Sequence, residues 1–544
     1  MRAVHSPGRD TAAINPIDEI PARLETMGMA NAPATSYDEV PYPSAVYAQT
    51  HPDRLAVIAT LSGLKPAPVE SCRVLELGCG DGWNLISMAH GLPESEFVGI
   101  DLAAQPVARG SALVQKLGLK NVSLQARDVA ETGADLGEFD YILAHGLYSW
   151  VPPHVRERVM RICGGNLSAG GVAYVSYNAY PGNHLRDLVR GMMRYHAAHF
   201  PKPADQIGQA RGLVKLLSEA GEKNDPYLQL LGRELERIQN YTDAGFFHDD
   251  LSAVNQPFYF HEFMAHAERH GLQYLGEADV SEKREAEYPA HVRAILRELD
   301  PNDVIGGEQY RDFLRCRAFR QTLLCHQGMP LDRGFNPARM SGLFISGKIR
   351  SASAQPDTRS NSPELFLGPK NSELETGNPL VKSALQRVGA VWPASIQFRD
   401  LLARVRSDLG RASDERVAAD ADDLGAALLR ASIGGALELR AHNPRFATHP
   451  GEQPKSSAIA RHQLETGNRV STLLHGIVQI DDDLGRLLLL LLDGTRDRRA
   501  LLDALRQALL EGRMNGDAAS GRQLTEGELE VRLGSLARLA LLEA

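Results

Sequence analysis

The chain has 544 residues, of which 43% are hydrophobic and 23% charged, so it holds enough apolar material for about three to four ordinary domains and is neither fibrous, collagen-like nor disordered throughout. Its 59 Lys and Arg against 68 Asp and Glu leave a net charge of −9, with no basic block. That balance argues against a nucleic-acid or anionic-membrane binder and tolerates a basic, lysine-bearing partner.

Residues 1–35 read as a flexible tail without an apolar stretch of signal-peptide length, so export is not expected from them. The longest purely apolar run, Leu487 to Leu492, is far short of the ~20 residues a membrane span needs. Cys72, Cys79, Cys163, Cys316 and Cys325 are odd in number and form no CxxC pair, which suits reduced thiols in a cytoplasm and predicts no structural metal.

From Ser71 to Tyr177, short β-branched or apolar runs alternate with longer amphipathic segments, the pattern of a parallel sheet wound with helices. Strands are predicted at Arg73 to Leu77, Glu96 to Ile100, Val122 to Gln125, Phe139 to Ala144 and Val172 to Tyr177, with a helix at Gly82 to Leu92. Helices at Leu185 to His199, Gln206 to Ala220 and Pro226 to Gln239 then read as an insertion. Leu272 to Glu277 and Gln321 to Cys325 look like strands that complete the sheet, with a helix at Ala290 to Leu299 between them. The Ser/Pro/Asn-rich stretch 351–378 and the polar break from Pro450 to Ser457 read as linkers. Leu484 to Leu492, a turn at 493–497 and a further helix suggest a small winged-helix-like unit for protein contact.

The densest local signal is Val74-Leu75-Glu76-Leu77-Gly78-Cys79-Gly80-Asp81-Gly82, a strand entering alternating glycines and then a helix. Glycines permit a sharp turn and a close ligand approach, and the helix N-terminus offers free N–H groups to a carboxylate. Nineteen residues past Gly82, the second strand ends at Asp101, suited to accept hydrogen bonds from two ribose hydroxyls. The spacing is GxGxG, without the third-glycine offset of a pyrophosphate cradle.

This segment resembles the class I S-adenosylmethionine (AdoMet)-dependent methyltransferases. The resemblance implies a Rossmann-like α/β sheet in which Glu76 and the Gly78, Gly80 and Gly82 backbone hold the methionine part, Asp101 with Leu102 the ribose, and Asp128 with Val129 the adenine. The segments 36–44, 50–54, 145–152 and 176–182, with His248-Asp249-Asp250-Leu251 and Asn255 to Phe260, resemble the subgroup that carries a methyltransferase regulatory domain, including rickettsial protein lysine methyltransferases that modify outer-membrane proteins. The implied domains are a methyltransferase core over 36–200 completed by 258–328, a regulatory or helical insertion over 201–330, a middle domain over 331–450 and a mainly helical C-terminal domain over 456–544. An outer-membrane acceptor follows from the same resemblance, and the helical insertion is the candidate surface for a homodimer. Trp83 and Asn183 depart from the family pattern, the first beside the cofactor turn and the second near the acceptor side.

A sulfonium methyl needs alignment and shielding more than a nucleophilic side chain, and an amine acceptor must arrive uncharged. Aromatic faces stabilise sulfonium and methylammonium alike, at about 0.5 to 2 kcal/mol each. Tyr148, Trp150, Tyr177 and Tyr180, after the fourth and fifth strands, are therefore the candidates for the acceptor side, with His145 as a proton acceptor or a packed histidine and Tyr37 as part of a cofactor lid. His261 and His266 are five apart and face ~140° away from each other on a helix, so they make no zincin pair, and His248-Asp249-Asp250 reads as a solvated cap before Leu251. The expected activity is AdoMet-dependent methylation of protein lysines, against a small-molecule methyltransferase or a non-catalytic AdoMet-binding protein.

Overall fold

The computed structural model describes residues 40, 42, 45–222, 224–284, 288–299, 303–411, 414–511 and 524–544; the expected tail and Tyr37 lie outside them. A seven-stranded sheet dominates: β1 Arg73–Leu77, β2 Glu96–Asp101, β3 Val122–Ala126, β4 Phe139–Ala144, β5 Leu167–Asn178, β6 Leu272–Glu277 and β7 Phe319–His326. Its order is β3-β2-β1-β4-β5-β7-β6, with β7 antiparallel to both of its neighbours and the other pairings parallel. All seven strands coincide with the predicted ones to within a residue or two at most ends. β5 starts five residues early because Leu167 pairs with Phe139 across a register shift ahead of the regular ladder.

Because successive side chains alternate faces, each central strand feeds two cores. Val74, Phe97, Tyr141 and Tyr174 pack on one face with the helices Pro52–Leu61 and Trp83–Gly91. Leu75, Leu77, Ile100, Ile142, Val175 and Leu324 pack on the other, with Pro153–Gly165 and Phe260–Glu268. Burying each such side chain is worth about 1.5–3 kcal/mol.

The chain divides into two compact units, one from residues 185–252 with 40 and 42, the other from 45–184 and 253–544. In the first, Pro203–Ser218, Pro226–Gln239 and Asp243–Asp250 join the helix that begins at Gly182, around Val189, Met193, Val214, Leu231 and Phe246. His248-Asp249-Asp250 is not a solvated cap. Thr242 caps that helix, and Asp250 lies buried in its last turn, paired to Arg237 at 2.6 Å, while the buried His248 meets the Val40 carbonyl at 2.6 Å.

In the second unit, β7 carries Arg320, fully buried against Glu277 of β6 (2.6 Å) and Glu308 (3.1 Å) and Asp312 (2.8 Å) of the helix Val304–Arg315, its guanidinium 3.8 Å from the Phe260 ring. The stretch predicted as a linker, 351–378, forms strands Glu364–Leu367 and Glu373–Thr376 of a small antiparallel sheet with Arg350–Ser351. Its order comes from a buried cation: Lys382 Nζ, on the helix Pro379–Val391, donates to the Ser360 and Ser362 carbonyls at 2.8 Å each. Toward the C-terminus, helices Ala458–Leu464, Asp483–Leu491, Arg498–Leu510 and Glu526–Arg538 and the hairpin Arg469–Ser471/Ile477–Gln479 enclose a leucine-rich core. No helix among the described residues is long and apolar enough to cross a membrane.

Candidate active site

The strand order reverses between β1 and β4, and the carboxyl edge at such a point is where open α/β sheets leave a crevice. Glu76 points from β1 onto the face of Val74 and is almost fully buried. Asn84 Nδ2 donates to its Oε1 at 2.9 Å, whereas Oε2 is buried with no hydrogen-bond partner among the described residues. Burial pushes the Glu76 carboxyl up to about 8; the Asn84 hydrogen bond opposes this, and the charges of Asp101 and Asp81 add to it.

Asn84 is itself fully engaged. Nδ2 also donates to Thr50 Oγ1 at 2.9 Å, and Oδ1 accepts from the Tyr47 N–H and from His475 Nε2, both at 3.0 Å. His475 stands at φ +55° in the turn of the C-terminal hairpin and also contacts Ser87 Oγ at 3.2 Å. Burial lowers its pKa to about 3, so the imidazole is neutral.

The glycine turn is left-handed at Gly78, Gly80 and Gly82. At Gly82, which precedes the helix Trp83–Gly91, a Cβ would stand 2.6 Å from Leu124 Cδ1, so β3 packs where a side chain would be. At Gly80 a Cβ would meet nothing within 4 Å, which leaves open space over the turn. The Trp83 indole does not fill it: the ring is stacked on His462, centroids 6.1 Å apart. Asp101 closes the turn from β2, with Oδ2 accepting the Gly80 N–H and Oδ1 the Ala103 N–H, each at 2.8 Å. Leu102 beside it is 60% exposed. The Arg127 N–H reaches the Asp101 carbonyl at 2.8 Å and brings Asp128 alongside, its Oδ1 accepting the Ala130 N–H ahead of the buried Val129.

His145 follows β4, with Nδ1 3.0 Å from Tyr174 Oη and 3.2 Å from Ser176 Oγ and its ring 4.0 Å from Tyr47. Burial lowers its pKa to about 4, which keeps it uncharged near neutrality. Of the four aromatic candidates, Tyr148 and Tyr177 are in edge contact, centroids 6.1 Å apart, but in the core and not at the rim with Tyr180. Tyr148 and Tyr177 are fully buried in the core on the other face of the sheet, Tyr148 with Oη 2.5 Å from His266 Nδ1 and Tyr177 stacked on Phe263 at 4.0 Å. Trp150 ends the short helical turn Tyr148–Trp150, partly exposed. Tyr180 lies at the rim, stacked on His184 at 3.9 Å and near Tyr259 at 5.3 Å. Asn183 donates to the Ala179 carbonyl at 3.0 Å and to the Ala318 carbonyl, a latch between the ends of β5 and β7. His261 and His266 diverge, His261 toward Gln309 and His266 toward Tyr148.

Asn84 could have been singled out from the sequence as an amide on the inward face of a helix, next to the turn. His475 could not, since only the docking of a hairpin some 390 residues away brings it there.

Residues 74–171 match a methyltransferase domain family, residues 242–326 a family described as "Predicted methyltransferase regulatory domain", and residues 452–543 a PKMT C-terminal winged helix domain. An uncharacterized protein of Rickettsia prowazekii, RP789, is 31% identical over 92% of this chain and 91% of its own length. A second R. prowazekii protein, RP028, is 34% identical over 44% of this chain and 96% of its own. The solved structure of PKMT2 from Rickettsia typhi in complex with AdoHcy superposes with a TM-score of 0.81 at 26% identity, covering 92% of this chain and all of that one. The chain belongs to the class I AdoMet-dependent methyltransferases with a regulatory domain. This methyltransferase ends in a winged-helix domain, and its cofactor is AdoMet. The residues present fit that cofactor: a buried carboxylate oxygen without a partner suits a cationic ligand, and the space over Gly80 admits one.

Proposed function

We propose that the methyltransferase acts on lysine side chains of a protein. The observation that carries this reading is the likeness, over nearly the whole chain and including the winged-helix domain, to the PKMT2 structure. We assign cofactor binding to Glu76 and the Gly78, Gly80 and Gly82 backbone for the methionine part, Asp101 and Leu102 for the ribose, and Asp128 and Val129 for the adenine. Tyr37 keeps its assignment to a lid, on sequence alone.

When bound, AdoMet supplies a methyl group on a cationic sulfur whose leaving form is a neutral thioether. The chain has three tasks around it. Glu76, as carboxylate, offers Oε2 to the positive charge of the cofactor, and Asn84 holds Oε1 so that the carboxylate keeps one orientation. The uncharged His145 lines the acceptor side with Tyr47, Tyr174 and Ser176, adding no positive charge that would repel a lysine. Tyr180, with His184 and Tyr259, offers aromatic faces at the rim to the aliphatic stem and cationic head of an incoming lysine. Tyr148 and Tyr177 support this edge from the core behind it, and Trp150 follows on the same segment.

The cytoplasmic reading rests on the five free thiols. Pairing of two chains is supported by Leu185, Leu188 and Tyr195, exposed at helical spacing on one helix of the inserted unit. An outer-membrane acceptor remains part of the proposal through the resemblance alone. The deciding experiment incubates the full chain with heavy-methyl AdoMet and cell extract, followed by peptide mass spectrometry. Heavy methyl groups on lysines are expected; label confined to small molecules would overturn the protein-lysine reading while leaving the methyltransferase class intact.

A further inference from the structure

On the sheet face away from Glu76, two helices bring together a second constellation that the methylation chemistry does not use. Glu157 comes from the helix Pro153–Gly165, His266 from Phe260–Glu268 and His270 from the turn that follows. His266 Nε2 lies 3.0 Å from Glu157 Oε2, and His270 Nε2 lies 3.1 Å from Glu157 Oε1. One donor atom from each residue falls within 4.8 Å of the others. The geometry points to a binding site for a divalent first-row transition ion of the zinc type, held by Glu157, His266 and His270, that clamps the methyltransferase core to its regulatory domain.

Two histidines four apart present their rings on one side of a helical turn, the spacing that first-row ions use, and a carboxylate from a facing helix completes a three-ligand set with room for water as the fourth. At Zn–N and Zn–O distances of about 2.0–2.1 Å, the edge of a tetrahedron is about 3.3 Å; the two histidine–carboxylate separations of 3.0 and 3.1 Å lie within a few tenths of an ångström of it, and the three donor atoms fall within 4.8 Å of one another, so side-chain rotation closes the set. His270 Nε2 is buried and close to the carboxylate but lacks the alignment of a hydrogen bond, so among the described residues its ring nitrogen has no well-formed partner. Behind His266, Tyr148 Oη lies 2.5 Å from Nδ1, a supporting contact of the kind that fixes which ring nitrogen is left to bind a metal. The approach of the two segments is also built in: a Cβ at Gly164 would stand 2.2 Å from the His270 carbonyl oxygen, so the helix bearing Glu157 can lie this close to His270 only with glycine there. Two cations lie nearby, Arg161 at 3.7 Å from Glu157 Oε1 and Arg269 beside His266; both are exposed, hence screened.

The alternative is a metal-free network in which both imidazoles donate to Glu157. Chelator-stripped full chain is titrated with Zn²⁺ alone by calorimetry, for wild type, His270→Ala and Glu157→Gln. Expected are one tight site in wild type, at least tenfold weaker in each variant, and a melting temperature that Zn²⁺ raises in wild type only. Glu157→Gln keeps the shape of the side chain, its oxygen accepting from one imidazole and its NH2 donating to the ring nitrogen of the other, and should melt near the metal-free wild type, so it remains informative should His270→Ala fold poorly. Absence of saturable uptake by wild type, or equal affinity in Glu157→Gln, would overturn the site.

Discussion

Asn84 donates to Glu76 at 2.9 Å with the same amide whose oxygen accepts from His475, so one side chain joins the buried acid of β1 to the turn of the C-terminal hairpin. The acid is held in place without being neutralised by a cation among the described residues.

That arrangement has a pH signature. An unfolded glutamate loses its proton near 4.5, and the folded Glu76 near 8. Between those values the folded chain keeps a proton that the unfolded chain has released, so this group's contribution to stability falls as pH rises from about 4.5 to about 8 and is level on either side. In thermal melts without cofactor, Glu76→Gln should gain on wild type as pH increases from 5 to 9. A melting difference that does not change with pH would remove the buried acid from the account. Calorimetry at pH 7 in buffers of different ionisation enthalpy should show proton release on AdoMet binding, because a cationic ligand favours the carboxylate.

The two glycines of the turn separate fold from binding. Both alanine variants carry the strain of positive φ, about 1–2 kcal/mol. Gly82→Ala also drives a Cβ into Leu124, so it should melt below Gly80→Ala, and Leu124→Ala should recover part of the loss. Gly80→Ala should stay folded and bind AdoMet at least tenfold more weakly by calorimetry, since its methyl enters the open space.

His475→Ala tests the reach of the winged-helix domain. Loss of its contacts to Asn84 and Ser87 leaves buried polar atoms short of a partner, at a cost of about 1–3 kcal/mol. We expect AdoMet affinity to fall several-fold with the far-ultraviolet circular dichroism unchanged. Wild-type affinity would mean that the hairpin turn does not bear on the cofactor site.

Arg320→Leu should be among the most damaging single changes. It removes the cation shared by three buried carboxylates and leaves Glu277 with only the Gln321 N–H and the Thr322 hydroxyl among the described residues, while Asp312 keeps Arg317 and Glu308 keeps Arg311; breaking such a buried pair costs about 3–5 kcal/mol. Urea denaturation should show the midpoint falling sharply.

Tyr180→Ala should lower kcat/KM for a protein acceptor while AdoMet affinity, measured directly, is preserved. The opposite split would move Tyr180 to the cofactor side.

The seven strands and the glycine turn were legible because they are local: apolar runs of strand length, then residues that need positive φ. Asp101 was legible from its offset, although the backbone bonds that hold it, to Gly80 and Ala103, could not be read. What failed depends on distant partners. The polar stretch 351–378 is ordered by Lys382, and His248-Asp249-Asp250 is buried by Arg237 and Val40. The four aromatics share one edge in sequence, yet the pleat sends Tyr177 inward while Tyr180, past the strand end, stays at the rim. The grouping of Glu157 with His266 and His270 is not legible in the chain, because the carboxylate lies on a helix more than a hundred residues before the histidines and only the packing of the two segments brings them together.

Between β5 and β6 the main chain departs and comes back at almost one point: the Phe258 N–H bonds the Asn178 carbonyl, and the Tyr180 N–H the Phe258 carbonyl, both at 3.0 Å. An excursion whose two ends are already stitched together imposes little on the ladder it interrupts, because closing a longer or shorter loop there changes the entropy only logarithmically. The helical excursion is thus a cassette, open to exchange or resizing in evolution or in the laboratory while the strand ladder keeps its register.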